Sequence, residues 1–499
     1  TEKVLSSKNN FHSAIALYPI YTSQQIRQLE QALFDSGIVS HELMFNAGKA
    51  AFAILQQQWP QAKKITVLCG AGNNGGDGYV VAYLAQQAGF LVEVFYTTPS
   101  KTTDAQKMMQ QAQAAGVIIN EWHNHSIRAD VIVDALFGIG LSAAITGVAE
   151  QMIAAANQSC VPILAIDVPS GVNADTGTVQ GVAIQAHTTV CFIAYKLGLL
   201  TGDGSSYAGQ VILQTLNTNP DFYTLPNIVN YYHKNQLAFA ARVKNSHKGD
   251  FGHVLVIGGD EGMGGAAMMA AEAALRSGAG RVTVATHPNH VAPLLARCPE
   301  IMVQGVLHPE QLQPLLAAAT VIVIGMGLGR QAWGQRLWLA VQNCEQPLIV
   351  DADALYWLAK QPHRHKNWVL TPHAGEAGRL LQTNSQSIQA QRMASVQQLV
   401  AIYGGVVLLK GAGSLVADEN TVNLCPYGNA GMATAGMGDT LAGIMAGLIA
   451  QFGLSLHTVT QAVVAHALAG DAAAQAGERG LLATDLLTPL RALLNNREI

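Results

Sequence analysis

Apolar and polar positions follow two different periods along this chain. From Lys64, short unbroken apolar runs alternate with segments of helix length: "ITVLCG", "LVEVFYT", "DVIVDALFG" and "PILAIDVPSG". A strand that is apolar at every position must be buried on both faces, so these runs predict a parallel sheet covered by helices. Upstream, Thr22 to Ser36 predicts a helix. Thr22 is a competent N-cap, Gln25 completes a capping box and Gly37 stops the helix. The pattern lapses near residues 216–245, where "LNTNPDFYTLPNIVN" holds two prolines and four asparagines. That lapse predicts a first domain over 1–220, a linker over 221–240 and a second domain over 241–499. Alternation resumes with "HVLVIGG", "RVTVAT", "TVIVIGMG", "PLIVDADAL", "NWVLTPH" and "GVVLLKG". Two strand-like pieces follow, "SLVAD" and "TVNLC", and then helices from Asp439 to the end.

Composition narrows the class. A length of 499 residues favours two or three domains, and 49% hydrophobic with 12% charged residues favours large cores over disorder. The formal net charge of −4, with no long basic run, gives no support for nucleic-acid binding. The mean hydropathy of +0.22 invites a membrane reading. The most tempting apolar run, Leu441–Ala450, is half of the roughly 20 residues that a spanning helix needs. The N-terminal patch "AIALYPIY" is short and broken by Pro19, so no signal peptide is expected. The six cysteines are scattered without a CxxC pair, which predicts buried thiols in a reducing, cytoplasmic setting.

Candidate chemistry begins at "CGAGNNGGDGYVVAYLAQQAG". Gly70, Gly72 and Gly75 fit a dinucleotide fingerprint, with Glu93 as its distal acid. Asp77 argues against a bare phosphate there, because it would repel one; sugar hydroxyls or an intervening cation suit it better. Asn73 and Asn74 offer amide oxygens that suit hard cations. Asp134 in "VDALFGIG" and Asp167 in "IDVPSG" end strands of the same sheet, where ligands of open α/β sheets bind. A lone strand-end Asp is usually a cap, but three in corresponding places point to one crevice.

"GAGNNGGDG", "VDALFGIG" and "DVPSGVNADTG", in order over about residues 20–215, resemble the epimerase domain of the bifunctional NAD(P)H-hydrate repair family. The resemblance implies a Rossmann-like three-layer sandwich. It implies hydrate contacts at Asn73, Asn74, Gly75, Gly76 and Asp77, at Gly138, Ile139, Gly140, Leu141, Ser142, Ala143 and Ala144, and at Asp167. It also implies a potassium ion at Asn74, Asp134 and Ser170. The segment "HELMFNAGKAA" is similar to a family helix that packs near the site. Asp167 is the candidate proton acceptor and donor for exchange at C6 of the hydrated ring.

The second half carries glycines after a strand in "GDFGHVLVIGGDEGMGGA", and bare backbone in "VIGMGLG". "LTPHAGEAGRLL" places His373 and Glu376 at a strand-to-helix turn, and Lys410 stands by glycines in "VVLLKGAGS", a fair phosphate ligand. In "GNAGMATAGMGDTLAGIMAGLIA" a single carboxylate, Asp439, separates a glycine-rich loop from an apolar run. Gly443 and Gly447 in that run predict one closely packed helix face. These segments, over about residues 240–495, resemble the family's ribokinase-like, ADP- or ATP-dependent dehydratase domain. The resemblance implies nucleotide contacts at Lys410, Gly411, Ala412, Gly413 and Ser414. It implies others at Asn429, Ala430, Gly431, Met432, Ala433, Thr434, Ala435, Gly436, Met437 and Gly438. Hydrate contacts fall at Ala266, Gly327, His373 and Asp439, with Asp439 as base and a magnesium ion beside ADP or ATP. The family commonly has proline where Met326 and Ala374 stand here, so loosened loop rigidity is expected there, with no functional group deleted. A homo-oligomer that binds NADHX and NADPHX, but neither nucleic acid nor membrane, is expected. The alternative is a ribokinase-like kinase of a small vitamin precursor fused to a nucleotide-binding scaffold. "HNH" (His123–His125) and "HRH" (His363–His365) lack the helical spacing of a zinc site.

Overall fold

The computed structural model describes residues 18–216 and 225–497; the expected linker and "AIALYPIY" therefore lie partly outside the described residues. By internal packing the chain divides into Thr1–Asn230 and Tyr231–Ile499.

In the first unit, α1 (Ser23–Asp35) starts as the sequence predicts. The Thr22 hydroxyl accepts from the Gln25 amide at 3.1 Å, and the Thr22 amide donates to Gln25 Oε1 at 3.0 Å. After α2 (Ser40–Gln58) come β1 (Lys64–Cys69), α3 (Asn73–Gln87), β2 (Leu91–Tyr96), α4 (Thr103–Ala114), β3 (Ile118–Glu121) and β4 (Val131–Ala135). The unit continues with α5 (Val148–Gln158), β5 (Ile163–Ile166), β6 (Thr188–Phe192), α6 (Gly202–Ala208) and β7 (Gln210–Gln214). The sheet is parallel throughout, in the order β3-β2-β1-β4-β5-β6-β7. The order reverses between β1 and β4, and a ligand crevice is expected at that switch point. Gly70 follows β1 there; a Cβ on it would lie 1.8 Å from the Leu136 carbonyl oxygen, so only glycine fits. The apolar pattern does not mark β3, β6 or β7. Two of these are edge strands, and β6 buries two threonines.

The second unit runs β8 (His253–Ile257), α7 (Gly264–Arg276), β9 (Arg281–Thr286), α8 (Val291–Arg297), β10 (Met302–Gly305), α9 (Gln313–Ala318), β11 (Val321–Ile324) and α10 (Ala332–Val341). Then come β12 (Leu348–Val350), α11 (Ala352–Lys360), β13 (Trp368–Leu370), α12 (Ala374–Leu380), α13 (Ser385–Ala390), α14 (Arg392–Tyr403) and β14 (Val406–Leu409). The hairpin β15 (Ser414–Ala417) and β16 (Val422–Cys425) precedes α15 (Met437–Phe452), α16 (Leu456–Ala473) and α17 (Leu487–Leu493). The strand order is β16-β15-β14-β13-β12-β11-β8-β9-β10, parallel except at the hairpin.

Helix α15 begins at Met437, two residues before the expected start at Asp439, because Gly436 takes a left-handed N-cap conformation with φ 91°. Its apolar run is buried from Leu441 to Ile449. Cβ atoms on Gly443 and Gly447 would lie 2.1 and 2.6 Å from the carbonyl oxygens of Ala270 and Ala274. Alanines on α7 thus meet glycines on α15, and the two backbones pack in contact, as the spacing predicts. Four cysteines are buried as expected; Cys344 is half-buried, and Cys160 is exposed in a left-handed turn, which corrects that expectation. No helix among the described residues is long and apolar enough to cross a membrane.

Candidate active sites

The carboxyl ends of β1, β4 and β5 open on a cavity of about 760 Å³. Asn73, Asn74, Asp77, the stretch from Gly138 to Ala143, and Asp167 line it, together with Arg27, Glu30, Lys101 and Lys196. Asp167 follows β5 with φ 66°. A non-glycine residue held there costs on the order of 1–3 kcal/mol, the kind of strain found at functional positions.

Lys196 fixes the Asp167 carboxylate. Its ammonium donates to Asp167 Oδ1, to the Phe192 carbonyl at 2.8 Å and to Cys191 Sγ at 3.5 Å. All three protons have partners inside the fold, so none is left for a ligand. Lys196 is 1% exposed and Asp167 14%. Burial works against the ammonium charge, but the Asp167 carboxylate, the Cys191 sulfur and their hydrogen bonds outweigh it and raise the Lys196 pKa. Asp167 Oδ2 faces Gly138, 3.4 Å from where a Cβ would stand.

Burial raises the pKa of the other acids in and beneath the cavity, whose lining does not include Asp134 or Ser170. Burial, then the Asp167 and Glu30 carboxylates, push Asp77 well above the carboxylate range. Burial and Asp167 raise Glu30, with Lys196 and Arg27 pulling it back. Asp134 is fully buried. Its carboxylate accepts from the Ser170 hydroxyl at 2.6 Å, the Ser170 amide at 2.7 Å and the Leu136 amide at 3.2 Å. Burial still pushes Asp134 up to about 6. Asn74 keeps a buried Nδ2 without a partner, and its Oδ1 faces Gly138.

Not every expected residue reaches the cavity. Gly75 and Gly76 are buried against the Gly70 carbonyl and Met44, and Ala144 is exposed away from it. Glu93 sits in the middle of β2, opposite Thr66 and Ile118, and not at the strand end where a ribose-binding acid belongs. The dinucleotide fingerprint is therefore incomplete. The helix carrying "HELMFNAGKAA" does pack beside the site: Met44 lines the cavity, and Gly48 lies against Val80 and the Asp77 carbonyl.

In the second unit the ends of β12, β13 and β14 bring together Asp351, Thr371, His373 and Lys410. Lys410 Nζ donates to Asp351 Oδ1 at 2.8 Å and lies 3.9 Å from Glu376 Oε2. The Thr371 hydroxyl donates to the same Asp351 oxygen at 2.7 Å. Burial opposes both charges, yet each sustains the other: Asp351 is lowered and Lys410 raised. Asp439, in the first turn of α15, is pushed up to about 6 by burial and by Asp351, with Lys410 pulling the other way. A Cβ on Gly438 would lie 3.5 Å from Lys410 Nζ. His373 caps α12; its Nδ1 accepts from the Gly375 amide at 3.0 Å, and its own amide donates to Glu376 Oε2 at 2.9 Å. Burial pushes Glu376 up to about 7. Gly327, with φ 58°, brings its loop against Ala266, whose Cβ would stand 3.4 Å from a Cβ on Gly327.

The Lys410–Ser414 turn rests on Arg392, a 2% exposed side chain. Its guanidinium donates to Gln389 Oε1 at 2.9 Å and to the carbonyls of Leu409, Lys410 and Gly413 at 3.2, 3.3 and 3.4 Å. Gly411, with φ 139°, lies directly over it; a Cβ there would stand 2.9 Å from Nη1. In the loop from Asn429 to Gly438, Asp471 accepts from the Gly428 amide and from Asn429 Nδ2 at 3.1 and 2.9 Å, and Met432 packs on Gly470. Ala433, Thr434 and Ala435 are exposed. Ala374 is the first residue of α12, where proline would fit equally. Met326 is buried, and its carbonyl accepts from the Gly259 amide at 3.0 Å.

Sequence reasoning misses Lys196, Asp351 and Arg392. Lys196 and Asp351 lie at strand ends, which is the available signal; nothing local marks Arg392. Among the described residues no group of three or more His, Cys, Asp or Glu could hold a metal.

Two family models match different parts of the chain. The family described as YjeF-related protein N-terminus matches residues 40–198, and the one described as NAD(P)H-hydrate dehydratase matches residues 254–491. The chain is 46% identical over 486 residues to the bifunctional NAD(P)H-hydrate repair enzyme Nnr of Coxiella burnetii, covering 95% of this chain and 99% of that one. It is 41% identical over 490 residues to the Escherichia coli enzyme of the same name, covering 96% and 94%. Among solved structures, the ADP/ATP-dependent NAD(P)H-hydrate dehydratase of Bacillus subtilis, co-crystallised with ATP and Mg2+, aligns at TM-score 0.50 and 27% identity. That alignment covers 54% of this chain and 99% of that one. A ribokinase-like protein of Enterococcus faecalis aligns at TM-score 0.50 and 34% identity, covering 54% and 96%.

Proposed function

From the premise that the chain belongs to the family of bifunctional NAD(P)H-hydrate repair enzymes, we propose which residues carry its two reactions. The protein is an isomerase and a lyase: it epimerises hydrated NADH and NADPH at C6 and dehydrates the S form with ADP or ATP. We assign epimerisation to 1–220 and dehydration to 241–499, joined by 221–240.

In the epimerase site the hydrate lies along Asn73, Asn74 and Asp77 and the segment 138–143. Ring-nitrogen lone-pair assistance expels the C6 hydroxyl, and its return on the other face inverts the centre. Asp167 gives and takes the proton at Oδ2 while Lys196 holds Oδ1. Asp77 lines the same cavity as Asp167 and can hydrogen-bond the hydroxyls of the hydrate. Asn74, Asp134 and Ser170 present the oxygen donors an alkali cation takes, and a cation there would offset the burial that raises Asp134. Such an ion would supply fixed positive charge near the hydrate.

In the dehydratase site the nucleotide rests on Lys410–Ser414 and Asn429–Gly438, with Gly327, Ala266 and His373 against the hydrate. Asp439 takes the C6 hydroxyl proton as that oxygen attacks the terminal phosphoryl group. The bridging P–O bond of the nucleotide breaks, leaving AMP from ADP or ADP from ATP. The ring-nitrogen lone pair expels inorganic phosphate from C6 to leave an iminium, and loss of a proton from C5 to water then forms the C5–C6 double bond and restores the dihydropyridine. Lys410 and the first turn of α15 face the developing charge. A magnesium ion held beside the phosphates would supply charge neutralisation there. It needs only one or two carboxylates beside the phosphates, and Asp351 and Glu376 are the carboxylates at hand.

The observation that carries this reading is that each unit ends its sheet in a carboxylate–lysine pair beside a glycine loop. The test is product analysis. S-NADHX with ADP should yield NADH, AMP and inorganic phosphate in equal amounts. A stable phosphorylated hydrate without NADH would mean a kinase instead. A cytoplasmic homo-oligomer completes the proposal and is checked by light scattering and cell fractionation.

A further inference from the structure

Three cations gather round one aromatic ring in the second unit. Arg330 Cζ lies 4.8 Å, Lys360 Nζ 5.5 Å and Arg379 Cζ 5.6 Å from the Tyr356 ring centroid. They come from three elements: the loop after β11, the end of α11, and α12. Trp357 meets Tyr356 edge to face, with centroids 5.1 Å apart, and its Nε1 donates to the Gly329 carbonyl at 3.2 Å. Asp353 accepts from the Gly329 amide at 3.0 Å and from Arg330 Nε at 2.9 Å. The loop is thus pinned to α11, and the arrangement is built, not incidental.

Charge in this cluster is out of balance. Asp353 answers Arg330, but among the described residues neither Lys360 nor Arg379 has a carboxylate within ion-pair distance. All three cations are exposed residues. Cation–π attraction holds them near the ring without neutralising them. Two guanidinium forks and an ammonium around an aromatic face suit a phosphate joined to a nucleoside.

The cluster also continues from the dehydratase site. Arg330 lies three residues after Gly327, a span of at most about 10 Å. Arg379 lies six residues after His373, about 9 Å along the helix axis. A dinucleotide with its hydrated ring at Gly327 and His373 can reach it. The nucleotide co-substrate is assigned elsewhere, to Lys410–Ser414 and the loop before α15.

We propose that Arg330, Lys360 and Arg379, with Tyr356, form a phosphate subsite for the far end of the hydrated dinucleotide. This rests on the dehydratase reading of the second unit. The phosphate is either the pyrophosphate of both hydrates or the ribose 2′-phosphate of NADPHX. Without such a ligand the three side chains would be solvated charges over a half-buried ring.

The test is the full-length double variant Lys360→Met/Arg379→Met, assayed with S-NADHX and S-NADPHX at saturating ADP. The KM for hydrate should rise about tenfold, as loss of two charge-assisted contacts implies, with kcat and the KM for ADP unchanged. A rise for NADPHX alone assigns the 2′-phosphate; an equal rise for both assigns the pyrophosphate. The swapped variant Lys360→Arg/Arg379→Lys should keep most of the affinity. An unchanged hydrate KM, or a rise in the KM for ADP instead, overturns the subsite. If the double variant fails to fold, Lys360→Met alone decides with a rise of about threefold. Failure of the dehydratase reading itself shows separately, as no NADH from the wild type.

Discussion

Asp439→Asn should abolish dehydration and yet make the second unit more stable. The carboxyl group is pushed up to about 6 from 3.8, first by burial and then by Asp351. A carboxylic acid whose folded pKa exceeds its unfolded one costs stability wherever it must be ionised. Well below pH 3.8 both states hold the proton and there is no cost. The cost grows between pH 4 and 6 and is complete above 6. That rise in pKa corresponds to about 3 kcal/mol above pH 6 and about half of that at pH 5. Asparagine keeps the shape and removes the charge. The variant should therefore melt about 6–10 °C higher than wild type at pH 8, with a visibly smaller gain at pH 5. Its dehydratase kcat should fall by about 10²–10⁴ through loss of the base, with the KM for ADP little changed. The wild-type rate should itself decline on the acid side with an apparent pKa near 6, because the base must be ionised to accept the proton. Thermal melts at the two pH values and steady-state NADH formation decide the matter. If Asp439→Asn melts below wild type at pH 8, burial does not penalise this carboxylate. If its kcat survives, Asp439 is not the base.

Three further outcomes follow from the same contacts. Asp167→Asn should lose epimerisation while S-hydrate is still dehydrated at the wild-type rate; retained epimerisation removes Asp167 from the mechanism. Lys196→Met leaves Asp167 without its cation in a site where Lys196 is 1% exposed. It should cost about 3 kcal/mol in urea unfolding and most epimerase activity, while Lys196→Arg recovers part of both; wild-type behaviour of Lys196→Met would refute the positioning role. Gly443→Val places side-chain atoms where a Cβ already lies 2.1 Å from the Ala270 carbonyl oxygen. It should destabilise the second unit by at least about 2 kcal/mol by calorimetry, and a neutral result would mean that α7 and α15 separate freely.

The parallel sheets are legible in the sequence because doubly buried strands are apolar at every position. Strands β3 and β7 are not, since edge strands expose half their residues, nor is β6, whose threonines blur the pattern. The strand-end acids Asp134 and Asp167 are readable because topology places chemistry at strand termini. Lys196 ends a strand, but its pairing is not readable: it lies 29 residues from Asp167 and meets it because a short strand at Tyr195 returns beside Ile20. Arg392 is equally hidden. A buried arginine that holds carbonyls from below leaves no local trace, except that Gly411 above it tolerates no side chain. The position of Gly436 in a left-handed cap, which starts α15 two residues early, is lost among so many neighbouring glycines.

The central claim is that two separate sites act in sequence on one damaged cofactor. It is tested most directly with a mixture of R- and S-NADHX, excess ADP and magnesium, following NADH absorbance to its plateau. The wild type should convert all of the hydrate, and Asp167→Asn should stop at the share present as the S form. Full conversion by Asp167→Asn, or a wild-type plateau at the S share alone, would contradict the account.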